Sequence, residues 1–285
     1  MPAYDLIDMS EYIGGNPFSM RYPTMGIISS RGCPQDCSYC SIKHVWGRTW
    51  RGRNPQSVVD EIAYLQRTYN VHEFSFLDDS MSVDPKRLEG ICQEIIKRKL
   101  GIKWTTPNGI AHWTLTKRLL SVMKASGCYR ITFGIESGSP QVRRYIKKDW
   151  DLKQAKSLIS HANRIGLWTI TTNILGLPFE TQKDASKTIS YAIDCGTDFA
   201  CFYTAIFHPK TRITRDQDSV LIRDVERLQR QAYREFILSR IPTAVFRLLS
   251  KIRSWEDFCY AFRLSKKGIR ILLNTFRRKG HILYD

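Results

Sequence analysis

From Pro23 onward, short runs of β-branched and aromatic residues alternate with longer stretches whose apolar positions recur at helical spacing. Successive strand–helix units around a parallel sheet produce that alternation. It predicts strands over 24–29, 73–77, 103–106, 129–134, 168–175 and 199–207. Helices are predicted over 55–69, 85–99, 116–126, 140–147 with 152–165, and 183–195. Asn54-Pro55 and Asp84-Pro85 each set a capping residue before a proline suited to a first helical turn. Gly101, Gly127, Gly166 and Gly196 each follow a helical run, where a left-handed stop is expected. Six such units fall short of the eight that close a full barrel, so the expected α/β fold is a partial (β/α)6 TIM-type barrel over residues 23–208.

After His208-Pro209 the pattern becomes helical, basic and aromatic, around 218–238, 243–252, 255–263 and 267–278. Residues 209–285 are therefore expected to form a basic helical C-terminal appendage, and residues 1–22 a linker-like lead-in. A chain of 285 residues with 42% hydrophobic content can bury one large core, so disorder is not its default class. No apolar run reaches transmembrane length, and the start Met1-Pro2-Ala3-Tyr4-Asp5 lacks the basic and apolar regions of a signal peptide, so a cytoplasmic location is expected.

The net charge of +17 is uneven, since residues 210–285 carry 18 basic against 8 acidic side chains. Nucleic acid, anionic lipid and an acidic electron-donor protein are all compatible partners, and solvated helix faces account for the charge equally well. Over 243–252, Arg247 and Lys251 stand opposite Val245, Phe246, Leu248 and Leu249. That amphipathic character allows membrane or RNA contact through the tail, although such helices more often pack on a core.

Eight cysteines in a chain without an export signal argue for reduced thiols, and a close group of them for metal binding. Cys33, Cys37 and Cys40 lie just after the first predicted strand, in the loop where barrel enzymes place their chemistry. Cys92, Cys128, Cys195, Cys201 and Cys259 are scattered through apolar segments and receive no role. The C-x3-C-x2-C triplet offers one thiolate fewer than saturates a [4Fe-4S] cluster, leaving one iron open. The competing reading is a closed Cys3His zinc site completed by His44.

The triplet, with Tyr39 before its last cysteine, resembles the motif of the radical S-adenosylmethionine (SAM) superfamily. Later strand ends extend the likeness. Phe76-Leu77-Asp78-Asp79-Ser80 is similar to the turn that meets the SAM amino group in that family. Gly134-Ile135-Glu136-Ser137-Gly138-Ser139 resembles its G-x-E-S-G-S segment, and Gly176-Leu177-Pro178-Phe179-Glu180-Thr181 its G-L-P-x-E-T turn. The resemblance covers residues 20–208 and implies a [4Fe-4S] cluster on Cys33, Cys37 and Cys40 that cleaves SAM to a 5′-deoxyadenosyl radical. It implies SAM contacts at Tyr39, Asp78, Asp79, Glu136, Ser137, Gly176, Leu177 and Pro178. Asn108 and Asn173 are implied at the barrel mouth, and no protein general acid or base is assigned.

Helix capping is the bland reading for the acids; Asp84 already caps the second helix, and Ser139 before Pro140 fits a cap better than Glu136 does. The wording of the motifs is most like the barrels of cobalamin-binding radical SAM methyltransferases and cyclases. Those proteins carry a cobalamin-binding domain ahead of the barrel, and residues 2–8 look like the linker that follows it. A separate chain supplying cobalamin, a shortened start and a cobalamin-free enzyme all remain open. A reduced ferredoxin or flavodoxin-type protein is the implied electron donor. The alternatives are a tRNA methylthiotransferase-like enzyme and a non-catalytic, zinc-stabilised basic binding module.

Overall fold

The computed structural model describes residues 1–15 and 18–276. In chain order the strands are β1 (Thr24–Ile27), β2 (Ser30–Arg31), β3 (Arg51–Gly52), β4 (Glu73–Phe76), β5 (Lys103–Ile110), β6 (Cys128–Glu136), β7 (Trp168–Leu175) and β8 (Phe199–Thr204). The helices are α1 (Ile42–Trp46), α2 (Pro55–Tyr69), α3 (Pro85–Lys97), α4 (Lys117–Ala125), α5 (Pro140–Tyr145), α6 (Leu152–Arg164), α7 (Gln182–Asp194), α8 (Arg212–Arg215), α9 (Val225–Arg240), α10 (Ala244–Lys251) and α11 (Trp255–Asn274). Six strands form one all-parallel sheet in the order β1-β4-β5-β6-β7-β8, the partial barrel expected. Strands β2 and β3 pair antiparallel and bracket the cysteine loop at its base.

Local chemistry explains the boundaries. Asn54 and Asp84 accept from the first backbone N–H groups of α2 and α3, and the glycines at 101, 127, 166 and 196 all hold positive φ. Leu88, Ile91, Cys92 and Ile95 of α3 meet Phe74, Phe76 and Trp104 in the main core. Each such side chain contributes about 1.5–3 kcal/mol. Strand β5 runs past the expected 103–106 to Ile110, with an irregular register between Thr106 and Ile110 that absorbs Pro107.

The strand-start end is sealed. Glu73 accepts from the backbone N–H of Met20 and Arg21 at 2.7 and 2.8 Å, and from the Tyr129 hydroxyl at 2.7 Å. Arg130 donates to Thr105 Oγ1 at 3.1 Å and to the Tyr260 hydroxyl of α11 at 3.0 Å. The functional end of the barrel is thereby the opposite one.

The core continues across residue 209. Helix α9 covers the outer face of β8, with Tyr233 and Phe236 packed on Phe202 and the Tyr233 hydroxyl accepting from Phe202 N at 3.0 Å. Lys251 is buried, donating to Asp198 and to Asn163 Oδ1 at 2.8 Å. The two helices expected over 255–263 and 267–278 are one, α11; Leu264 packs with Tyr260 and Ala261 at the expected break, and Gly268 is carried at about 1 kcal/mol. Residues 277 and 278 lie outside the described residues. Among the described residues, no helix is long and apolar enough to cross a membrane.

Candidate functional site at the barrel mouth

The cysteine loop follows β2 and is held at both ends. Asp78, at the end of β4, accepts from Ser29 N at 2.8 Å, from Ser29 Oγ at 2.6 Å and from the Ser30 hydroxyl. Asp79 accepts from Gly32 N at 2.9 Å, one residue before Cys33. At the far end, Ser38 N donates to Ile146 O at 3.1 Å and Ser38 Oγ to Tyr145 O at 2.7 Å. Cys37 is buried, with Cys33 and Cys40 half-buried.

Burial pushes the Cys37 thiol up to about 11, against the opposing charge of Lys148, and it also raises the Cys40 thiol. Cys37 senses both Cys33 and Cys40, so the three sulfurs share one neighbourhood. Among the described residues, no three His, Cys, Asp or Glu side chains stand in metal-holding geometry, and His44 is exposed on α1. The three thiols lie together in one loop, and the helix that carries His44 follows it. A soft donor set of three thiols fits an iron–sulfur cluster that keeps one iron for another ligand.

A polar trio joins the loop to the end of β6, with Glu136 and Lys148 buried and Tyr39 supplied by the loop itself. Glu136 ends β6 with a φ of 63° and accepts through Oε1 from Lys148 Nζ at 2.7 Å and from the Tyr39 hydroxyl at 3.1 Å. Its Oε2 accepts from Thr172 Oγ1 at 3.2 Å. The Lys148 ammonium also lies 5.9 Å from the centre of the Tyr39 ring. Burial acts to lower the Lys148 pKa, but the charges of Glu136 and Cys37 outweigh it and the group is held above its ordinary value. Burial, then Glu136, raises the Tyr39 phenol well above its usual value. A dry carboxylate and ammonium beside three thiols can grip a zwitterionic ligand by its amino and carboxylate groups.

The remaining residues implied by sequence divide in two. Ser137 is fully buried against Thr188 of α7 at 3.1 Å, and Ser139, at the start of α5, gives its hydroxyl to Asp184 at 2.7 Å instead of capping the helix. Asn108 is exposed at the mouth and donates to Leu77 O at 2.9 Å. Asn173 is turned away from the mouth: across the register it pairs with Phe202, whose side chain belongs to the helix-side core with Leu175. Its Nδ2 donates to Cys201 O at 3.2 Å. Strand alternation, which places successive side chains on opposite faces, decides this.

At the turn after β7, Leu177 and Pro178 are buried, and Gly176 leaves space that Val225 of α9 fills; a Cβ there would meet it at 2.7 Å. The N–H groups of Gly176 and Leu177 are taken by Glu180 Oε2 at 2.6 and 3.3 Å.

Lys148, Thr172 and Glu180 of this arrangement carry no role in the sequence reading. Lys148 could have been sought as the cation that a buried Glu136 requires. Glu180 is fully buried, and burial pushes its carboxyl up to about 7 despite the two backbone donors. The folded-state value lies above the ordinary 4.5, so native protein holds a proton that unfolded protein has released. Stability is expected to fall as pH rises from about 4.5 through about 7, and Glu180→Gln should flatten that part of a thermal-midpoint profile. An unchanged slope would show that Glu180 does not titrate in the fold.

An all-parallel partial barrel with three cysteines in the loop after its first strand defines a cofactor-dependent barrel enzyme. The family model of the radical SAM superfamily matches residues 27–192, and the chain belongs to that superfamily. The family uses a [4Fe-4S] cluster with SAM and takes electrons from a reductant.

The chain is 33% identical to an uncharacterized methyltransferase of Pyrococcus horikoshii, over 75% of this chain and 45% of that protein. It is 30% identical to the anaerobic magnesium-protoporphyrin IX monomethyl ester cyclase of Rubrivivax gelatinosus, over 60% of this chain and 31% of that one. In fold it resembles the radical SAM methyltransferase TsrM from Kitasatospora setae, solved with cobalamin and a [4Fe-4S] cluster; the TM-score is 0.61 at 16% identity, over 66% of this chain and 38% of that one. The chain thus spans less than half the length of these relatives.

Proposed function

We propose that this chain is the SAM-cleaving core of a cobalamin-type radical SAM enzyme that transfers a methyl group or closes a ring at an unactivated carbon. Cys33, Cys37 and Cys40 would hold the cluster, with Tyr39 beside it. Glu136 and Lys148 would take the amino and carboxylate groups of SAM, exchanging their mutual bond for bonds to the ligand. When bound, the cluster supplies the electron that cleaves SAM reductively to a 5′-deoxyadenosyl radical. Asp78 and Asp79 position the cysteine loop, and Ser137 and the 176–178 turn brace the walls around the ligand. Asn108 stands at the mouth, where substrate would enter.

The observation that carries this reading is the buried Lys148–Glu136 pair, bonded to Tyr39 of the cysteine loop beside the three thiols. A reduced ferredoxin or flavodoxin-type protein in the cytoplasm would supply electrons, and cobalamin would come from outside residues 1–285. The test is anaerobic reconstitution with iron and sulfide, followed by reduction with SAM. Release of 5′-deoxyadenosine is expected. Protein that binds no iron and releases none would overturn the proposal.

A further inference from the structure

Helices α10 and α11 present apolar residues to solvent and much of their charge to the protein. On α10, Arg247 donates to Gly196 O at 3.0 Å, Leu248 packs inward and Lys251 is buried on Asp198. The opposite face carries Val245, Phe246 and Leu249, exposed by 71%, 78% and 65%. A helix lying on a water-facing surface is arranged the other way round. Helix α11 repeats the inversion: Tyr260, Ala261 and Leu264 pack inward, while Trp255, Phe258, Phe262, Ile269 and Leu273 recur at helical spacing on its exposed side. The two helices meet at one apolar cavity of about 330 Å³, lined by Ala244 and Leu248 of α10 and by Leu264 and Ile269 of α11.

Charge indicates what covers this face. From Leu238 to Phe276 the chain has eight basic residues and two acidic ones. Glu256 is paired with Arg21 at 2.8 Å, and the Asp257 carboxylate accepts from Ser254 Oγ at 2.9 Å in the first turn of α11. Arg253, Lys266 and Arg270 are exposed beside the apolar stripe, with Lys266 5.7 Å from the centre of the Phe262 ring. A second copy of the chain would set this basic excess against itself. An anionic bilayer complements both properties at once.

We propose that the α10–α11 face docks on the surface of an anionic lipid bilayer. The apolar stripe enters the boundary between headgroups and acyl chains, and Arg253, Lys266 and Arg270 meet the lipid phosphates. The face lies at the strand-start end, where α11 seals the barrel through Tyr260, so docking leaves the cysteine-bearing mouth open to water.

Flotation of the 285-residue chain with vesicles tests this. It should float with phosphatidylcholine vesicles containing phosphatidylglycerol, and not with phosphatidylcholine alone. Phe246→Ser, Leu249→Ser and Phe262→Ser combined should lower partitioning about tenfold or more, because these side chains supply the inserted apolar area. Their exposure predicts an unchanged circular dichroism spectrum. Lys266→Glu with Arg270→Glu should abolish the preference for anionic vesicles. The proposal is overturned if the intact chain does not float, if the triple variant floats equally well, or if the lipid-free chain is a dimer that the serine substitutions dissociate.

Discussion

Cys33→Ala, Cys37→Ala and Cys40→Ala proteins, reconstituted anaerobically, are expected to lose the iron–sulfur chromophore and to release 5′-deoxyadenosine only at background level. Three thiols leave a four-iron cluster without redundancy among its protein ligands, so removal of one cannot be absorbed by the other two. The scattered cysteines provide the contrast. Burial pushes Cys92 up to about 12 and Cys128 higher still, in the core behind the sheet. Cys92→Ala and Cys128→Ala should cost about 1–2 kcal/mol of stability and leave iron content intact. Iron retained in full by any of the first three variants would remove that cysteine from the ligand set.

Lys148→Met should destabilise the fold by about 3 kcal/mol, since it strands the Glu136 carboxylate in a buried site. The pair is 2.7 Å apart, with side-chain exposures of only 11% and 9%. Removing both charges in Glu136→Gln/Lys148→Met should restore most of that loss, because the desolvation of both groups disappears together. SAM binding should behave differently, falling about tenfold or more in either single variant and in the double, as charged hydrogen bonds to the ligand are lost. Chemical denaturation and equilibrium dialysis on cluster-loaded protein separate the two effects. A double variant that regained stability and SAM affinity alike would make the pair purely structural.

The strand and helix periods, the capping residues before Pro55 and Pro85 and the glycine stops were all legible because each depends on neighbours a few residues away. So was the cysteine loop, whose three thiols are contiguous in sequence. The acids were harder to read. Asp78 and Asp79 hold the loop's backbone through contacts nearly fifty residues distant in sequence, which no local pattern encodes.

Of two adjacent lysines, Lys147 turns out to Asp36 and Lys148 turns in to Glu136. Their identities are equal. The left-handed turn at Lys147, with a φ of 58°, sends the next residue inward. Likewise Asn173 faces the helices because register with β8 fixes its side, and Gly176 makes room for Val225 of a helix that the sequence pattern set apart from the barrel.

The sequence by itself determined the barrel, its cysteine loop and the chemistry of its donors, since local periodicity and residue type suffice for these. Only the tertiary structure decided which lysine meets Glu136, which acids brace the loop and which helix faces remain open to solvent. Those outcomes depend on distant surfaces competing for the same side chains, and packing alone resolves that competition.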